Sequence, residues 1–162
     1  MNAEERRKFV ETHRTAIFGY NRTNHGPSMS VVYYVMDGED ILISTMLERA
    51  KAKAVLRNPR VSLCVLDEKW PLTYLQLYCT AAIERDIEAA TDMLMRVAGL
   101  MAGKPMPDSV RPNLRNLAVE EQRVVIRLKP YETFETPPRH VNKPEDTRDL
   151  THWLGSVLPW KE

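Results

Sequence analysis

Ser44-Thr45-Met46-Leu47-Glu48-Arg49-Ala50-Lys51-Ala52-Lys53-Ala54-Val55-Leu56-Arg57-Asn58-Pro59-Arg60-Val61-Ser62 reads as the end of one strand, a short basic helix and the start of the next strand. Glu48 to Arg57 is rich in alanine, lysine and arginine, all good helix formers. Asn58-Pro59 stops the helix, because proline turns the residue before it away from the α conformation. Val61 to Leu66 continues as an apolar strand. At about 3.6 residues per turn, Arg49, Lys53 and Arg57 share one side of the helix while Lys51 points elsewhere near its start. The hydroxyls of Ser44 and Thr45, with Arg49 and Lys51 from the first turn, are donors within reach of one anion. A phosphate there would gain charge-assisted bonds and unpaired backbone amides. The plainer reading of the same residues is a solvated helix face with ordinary basic side chains.

Upstream of this stretch, Thr15 to Tyr20 has strand composition and leads into the polar, turn-prone run Asn21 to Pro27. Met29 to Met36 is a second strand, Asp37-Gly38 a hairpin turn, and Ile41 to Thr45 the returning third strand. Asn2 with Glu5 three residues later has the spacing of a capping box, which opens a helix to about Thr12 anchored by Phe9 and Val10. Downstream, a connection through Trp70-Pro71 precedes an apolar and aromatic segment ending at Ile83. Glu84 to Met101 is the longest helical pattern, with Ile87, Met93, Leu94, Val97, Leu100 and Met101 as expected buried positions and its methionines as gap-fillers. Gly103 to Pro112 reads as a loop. Val124 to Leu128 and Tyr131 to Thr136 read as two strands separated near Pro130, and Pro137-Pro138 ends the regular body. A short helix is expected at Thr147 to Leu154, closed by Gly155.

Six or seven short strands with one short helix between the third and fourth favour an antiparallel barrel or sandwich, because a doubly wound sheet needs a helix after nearly every strand. The expected fold is mainly β with flanking helices. It forms one domain over residues 1–162, with an N-terminal helix within 1–14 and a polar tail at 139–162. Composition, 43% apolar and 28% charged, is that of a soluble globular protein. No apolar run approaches the ~20 residues that span a bilayer. Met1 to Arg14 has no apolar signal-peptide core, so no membrane partner and a cytoplasmic location are expected. With 23 basic and 22 acidic residues, bulk charge gives no reason to expect nucleic acid.

Cys64 and Cys79, the two cysteines, lie in apolar segments without CxxC spacing and read as reduced core residues. His13, His25, His140 and His152 are dispersed, so no metal site is expected. The chain carries no Walker motif, Rossmann glycine fingerprint, G-x-S-x-G elbow or H-E-x-x-H. No carboxylate pair or nucleophile triad stands out either, so an enzyme built this way takes its chemistry from an organic cofactor and its catalytic residues stay unknown. Trp70, Tyr74 and Tyr78 can pack a planar ring or line a subunit seam, core packing being the plainer reading.

From Thr15 to about Pro138 the chain resembles the pyridoxamine 5′-phosphate oxidase-like split β-barrel superfamily, and within it the small deazaflavin- and flavin-dependent reductases. The residues that carry the resemblance are the strand, basic helix, Arg57-Asn58-Pro59-Arg60 and strand of the opening stretch, set among hairpins of the same order. The resemblance implies that Ser44 lies near a cofactor phosphate, that Arg49 and Lys51 bind it, and that Lys53 and Arg57 stand second to them. It also implies that Trp70 and Tyr74 lie near the cofactor and an opposite subunit, in a homodimer with two cofactor sites at its interface. Two departures bear on the substrate entrance. Members often carry an Asp-Gly-x-Pro type turn where this chain has Asn24-His25-Gly26-Pro27, and the proline often seen in the following strand is missing from Ser28 to Tyr33.

The implied function is an oxidoreductase that uses the reduced deazaflavin coenzyme F420 to pass hydride to an unsaturated or quinone-like small molecule. A backbone amide near Val31 or Val32 is expected to orient the cofactor ring. The same architecture also fits an FMN-dependent oxidase or flavin reductase, or a non-catalytic flavin, deazaflavin or tetrapyrrole binder. An acidic deazaflavin tail calls for a longer basic groove than one terminal phosphate, so the discriminating feature is whether Lys53, Arg57 and Arg60 extend the pocket begun by Arg49 and Lys51.

Overall fold

The computed structural model describes residues 1–67, 69, 73–136, 143–149 and 155–161. Helix α1 (Ala3–Thr12) starts at the expected capping box. The Asn2 side chain accepts from the Glu5 amide at 2.9 Å, and the Glu5 carboxylate accepts from the Asn2 amide at 2.8 Å. Then follow β1 (Thr15–Tyr20), β2 (Ser28–Tyr33), β3 (Val35–Asp37), β4 (Asp40–Met46), α2 (Ala50–Arg57), β5 (Arg60–Asp67) and β6 (Thr73–Glu84). The chain continues through α3 (Ile87–Ala102), α4 (Arg111–Glu120), β7 (Arg123–Glu135) and β8 (Ser156–Pro159). One antiparallel sheet takes the order β2-β1-β5-β6-β7-β4-β3, with β8 added on β7.

The two ends of that order, β2 and β3, are consecutive in the chain and separated only by Tyr34. The sheet must therefore curl until its two ends approach at that residue, which makes a split barrel in which β2 pairs only with β1. Tyr34 seals the seam. It is 1% exposed, its amide donates to the Arg14 carbonyl at 3.2 Å, and its hydroxyl donates to the Val10 carbonyl at 2.6 Å. Burial raises the pKa of the phenol, which stays protonated as that bond requires. Tyr34→Phe strands the Val10 carbonyl and is expected to lower the unfolding free energy by about 1–3 kcal/mol in chemical denaturation.

Side chains alternate along β4. Ile41 and Ile43 point into the barrel with Phe18, Leu63, Leu77, Ile126 and Leu128, while Leu42 points out to a second core with Val35, Ala90, Met93, Ala118 and Val125. Helices α3 and α4 cover that outer face. The Asp86 carboxylate caps α3, and Gly103, at φ +69°, ends it in the left-handed conformation. The β3–β4 turn has Gly38 at φ +61°, as a tight hairpin needs. Among the described residues no helix is long and apolar enough to cross a membrane, and no cluster of potential metal ligands occurs.

Several local expectations are corrected. The second strand is broken at Tyr34, where the barrel closes. The basic helix begins at Ala50 rather than Glu48. The two strands expected around Pro130 are one, because Pro130 sits opposite Cys79 where the register slips, a place that tolerates a missing N–H. Met101 is exposed rather than buried. Helix α4 and strand β8 were not anticipated. The expected helix at 147–154 lies partly outside the described residues, which show a 3-10 turn at Pro144–Asp149. Cys64 and Cys79 are free thiols on adjacent strands, Cys79 buried in the core and Cys64 only partly buried.

Candidate functional site

Strand β4 delivers the chain to the corner where α2 begins. The Leu47 amide donates to the Gln122 carbonyl and the Arg49 amide to the Met46 carbonyl, both at 3.1 Å. Arg49 takes the N-cap position in an extended conformation, and no side chain caps the helix there. Arginine is a poor cap, so the first-turn amides lack a side-chain acceptor. Ala52, Ala54 and Val55 pack inward, which holds the helix at a set angle to the barrel.

Lys51 is half-buried, and its pKa is lowered, first by that burial and second by the nearby charge of Arg49. Among the described residues no carboxylate pairs with either cation.

Ser44 and Thr45 face opposite ways. Thr45 is 4% exposed and follows Ile41 and Ile43 into the barrel, whereas Ser44 lies on the outer face and accepts a 3.4 Å hydrogen bond from Arg123 Nη1. The two hydroxyls cannot serve one anion, and Thr45 leaves the candidate set. Arg123 is the residue that sequence reasoning missed. It stands opposite Met46 in the β4–β7 register, and its Nε also binds Glu121 at 2.6 Å. Nothing local marks it, since strand pairing alone brings it across 79 positions to Ser44.

Lys53 and Arg57 turn to a neighbouring cleft of about 250 Å³ between α2 and the β1–β2 loop, where Arg22 and His25 face them. Lys53 is also paired with Glu48 at 2.6 Å, and Arg57 donates to the Lys53 carbonyl. Arg60 is exposed and does not line this cleft.

Strand β2 forms an open sheet edge, so one of the adjacent Val31 and Val32 amides points away from β1. Val31 is 75% exposed and Val32 is buried. The Tyr74 hydroxyl accepts from Thr136 Oγ1 at 3.0 Å. Trp70 lies outside the described residues.

Residues 3–136 match the family model for pyridoxamine 5′-phosphate oxidase. The chain belongs to that family. No curated protein matches it. Among solved structures it is similar to the conserved hypothetical protein Rv2991 from Mycobacterium tuberculosis, at 24% identity and TM-score 0.72 over 82% of each chain. It is also similar to an F420 reductase, at 20% identity and TM-score 0.61 over 78% of this chain and 93% of that one. A third likeness is to HutZ, a heme storage protein from Vibrio cholerae, at 19% identity and TM-score 0.57 over 78% and 88% of the two chains. These identities make the likeness one of fold, the split β-barrel.

Some members of the family bind flavins or F420, which carry phosphate, and the residues at this corner are of the kind that receive a phosphate. The helix start has no side-chain cap, Arg49 and Lys51 have no carboxylate partner among the described residues, and Arg123, itself paired with Glu121, reaches Ser44 on the strand that leads into the corner. A pH dependence follows from Lys51. Because its pKa lies below the ordinary 10.5, the protonated side chain costs the ligand-free fold stability, and that cost lifts as pH rises through the lowered value. Anion binding acts in reverse, since it favours the protonated form. Affinity for a phosphomonoester, measured above about pH 8 where the ligand is already dianionic, is expected to fall at lower pH than an unperturbed lysine would dictate. The Lys51→Ala profile should be flat over the same range.

Proposed function

We propose that this protein is an oxidoreductase that holds a reduced deazaflavin coenzyme at the α2 corner and passes its hydride to an unsaturated or quinone-like small molecule. The observation that carries this reading is the continuation of charge beyond the corner. Arg49 and Lys51 stand at the helix start, where in this reading they receive one anion, and Lys53, Arg57 and Arg22 line the next cleft, a track suited to an acidic tail longer than one phosphate. Arg60 is not part of that lining.

When bound, the coenzyme supplies the hydride chemistry, and the chain supplies position and electrostatics. In this reading Ser44 and Arg123 hold the anion from the strand side, and the outward amide of Val31 or Val32 orients the ring. A homodimer belongs to the same proposal. Met29 at 73%, Val31 at 75% and Tyr33 at 37% exposed form an apolar stripe on the open edge strand, the kind of surface a second copy covers. The second reading, an FMN-dependent oxidase or flavin reductase, is favoured by the compactness of the Ser44, Arg49, Lys51 and Arg123 set, which suffices for a single terminal phosphate.

Equilibrium titration with coenzyme F420, FMN and heme, followed by turnover with a quinone acceptor, separates these readings. Tighter binding of the deazaflavin together with turnover is the expected result. Preference for FMN moves the assignment to the second reading. Tight heme binding without turnover of either reduced cofactor overturns the enzyme assignment.

A further inference from the structure

A large cavity lies away from the α2 corner. It measures about 780 Å³ and opens between α1, β3, α3 and the turn after α3. Its wall is apolar, built from Val10, Tyr34 and Val35 at the barrel seam and from Met36, Met95 and Met106. Thioethers on flexible stems adapt to the shape they meet, so this wall accepts an apolar body without fixing its outline. The turn that forms one side is held in place by its backbone. Gly103 ends α3 in the left-handed conformation, the Lys104 amide donates to the Gly99 carbonyl at 3.1 Å, and a Cβ at Gly99 would stand 3.3 Å from the Lys104 carbonyl oxygen.

The mouth carries a surplus of positive charge. Arg14, Arg96 and Lys104 line it against one carboxylate, Glu11, which is already paired with Arg7 at 3.0 Å. Several arginines elsewhere in the fold sit on carboxylates: Arg111 and Arg115 on Glu88, Arg123 on Glu121, and Arg127 on Asp37, Asp40 and Glu84. At this mouth Arg14 donates to the Leu100 carbonyl at 3.3 Å and Arg96 to the Met36 carbonyl. Among the described residues no carboxylate pairs with Arg14, Arg96 or Lys104. A guanidinium has five donors, and one neutral carbonyl leaves most of them for a ligand.

The cavity is separate from the cofactor corner. Arg14 precedes β1 and Tyr34 follows β2, whereas the loop that faces α2 joins the other ends of these two strands. Each strand has six residues. At about 3.3 Å per residue the two ends lie roughly 20 Å apart.

We propose that this cavity is a binding site for a small amphipathic organic anion, its apolar body against the methionine wall and its carboxylate on Arg14, Arg96 and Lys104. The probe is decanoate, titrated calorimetrically against the full chain. One-to-one binding is expected, weakened by added salt and reduced about tenfold or more in Arg14→Gln/Arg96→Gln, as the loss of charge-assisted bonds requires. Both arginines are exposed, and a melting curve checks that the variant is folded. Lys51→Ala should leave decanoate affinity unchanged. Absence of binding at millimolar decanoate, equal affinity in the double variant, or equal affinity for 1-decanol would each overturn the proposal. Loss of binding in Lys51→Ala would place the anion at the cofactor corner and overturn it as well. The outcome does not depend on which cofactor the chain prefers.

Discussion

Trp160→Ala is expected to lower the unfolding free energy by about 3–5 kcal/mol, the range for removing a large aromatic ring from a packed core. Trp160 is 3% exposed and packs with the residues that fill the barrel. It follows β8, whose hold on β7 includes Thr133 Oγ1 donating to the Leu158 carbonyl at 3.2 Å. The Trp160 amide donates to Tyr131, the extra residue where the β6–β7 register slips. The guanidinium of Arg6, buried in α1, reaches the Pro159 carbonyl at 2.7 Å. Losing the ring therefore opens a cavity where a late strand, the register slip and the first helix come together. Among the described residues the indole Nε1 has no hydrogen-bond partner. Trp160→Phe should accordingly cost much less than the alanine change, since it keeps most of the buried area and removes a buried N–H that gains nothing. Urea denaturation measures both. An alanine variant within about 1 kcal/mol of the parent would show that the ring is not part of the core.

Arg49→Ala/Lys51→Ala is expected to weaken cofactor binding by about a hundredfold or more, because each charge-assisted bond to a phosphate contributes roughly 1.5–3 kcal/mol and 1.4 kcal/mol is a tenfold change. The two effects need not add, as the groups are close enough to interact. Stability should move the other way. Lys51 is half-buried beside a like charge, so removing the pair relieves desolvation and repulsion in the ligand-free protein. The expected signature is a steep loss of affinity with a melting temperature level with the parent or above it. Titration beside a thermal scan reads both, and a loss of affinity that tracks a loss of stability would mean that the pair serves folding rather than binding.

The parts of this fold that were legible in the chain are those whose signals are local. The capping box at Asn2 and Glu5, the Gly38 hairpin, the strand that returns from it and the short basic helix ended by Asn58-Pro59 each depend on residues a few positions apart. Short-range sterics and hydrogen bonding are enough to specify them. Helix α4 was missed because its apolar positions are few and its support comes from α3, through Arg111 and Arg115 on Glu88 at 2.9 and 2.7 Å. Strand β8 was missed because four residues carry little pattern until β7 offers an edge.

The candidate site divides along the same line. Helix position put Arg49 and Lys51 within reach of one anion, and the family resemblance set them ahead of Lys53 and Arg57. The rejection of Thr45, the arrival of Arg123 on Ser44 and the turn of Lys53 and Arg57 toward Arg22 could not be named in that way. Which way a strand faces, and which distant strand lies beside it, are decided by barrel closure. Local chemistry thus determined that this chain makes hairpins, a basic helix and a cluster of cations at its start. Only the closed sheet decided which of those groups share a face, because burying one apolar surface assigns every alternate side chain to the inside or the outside at once.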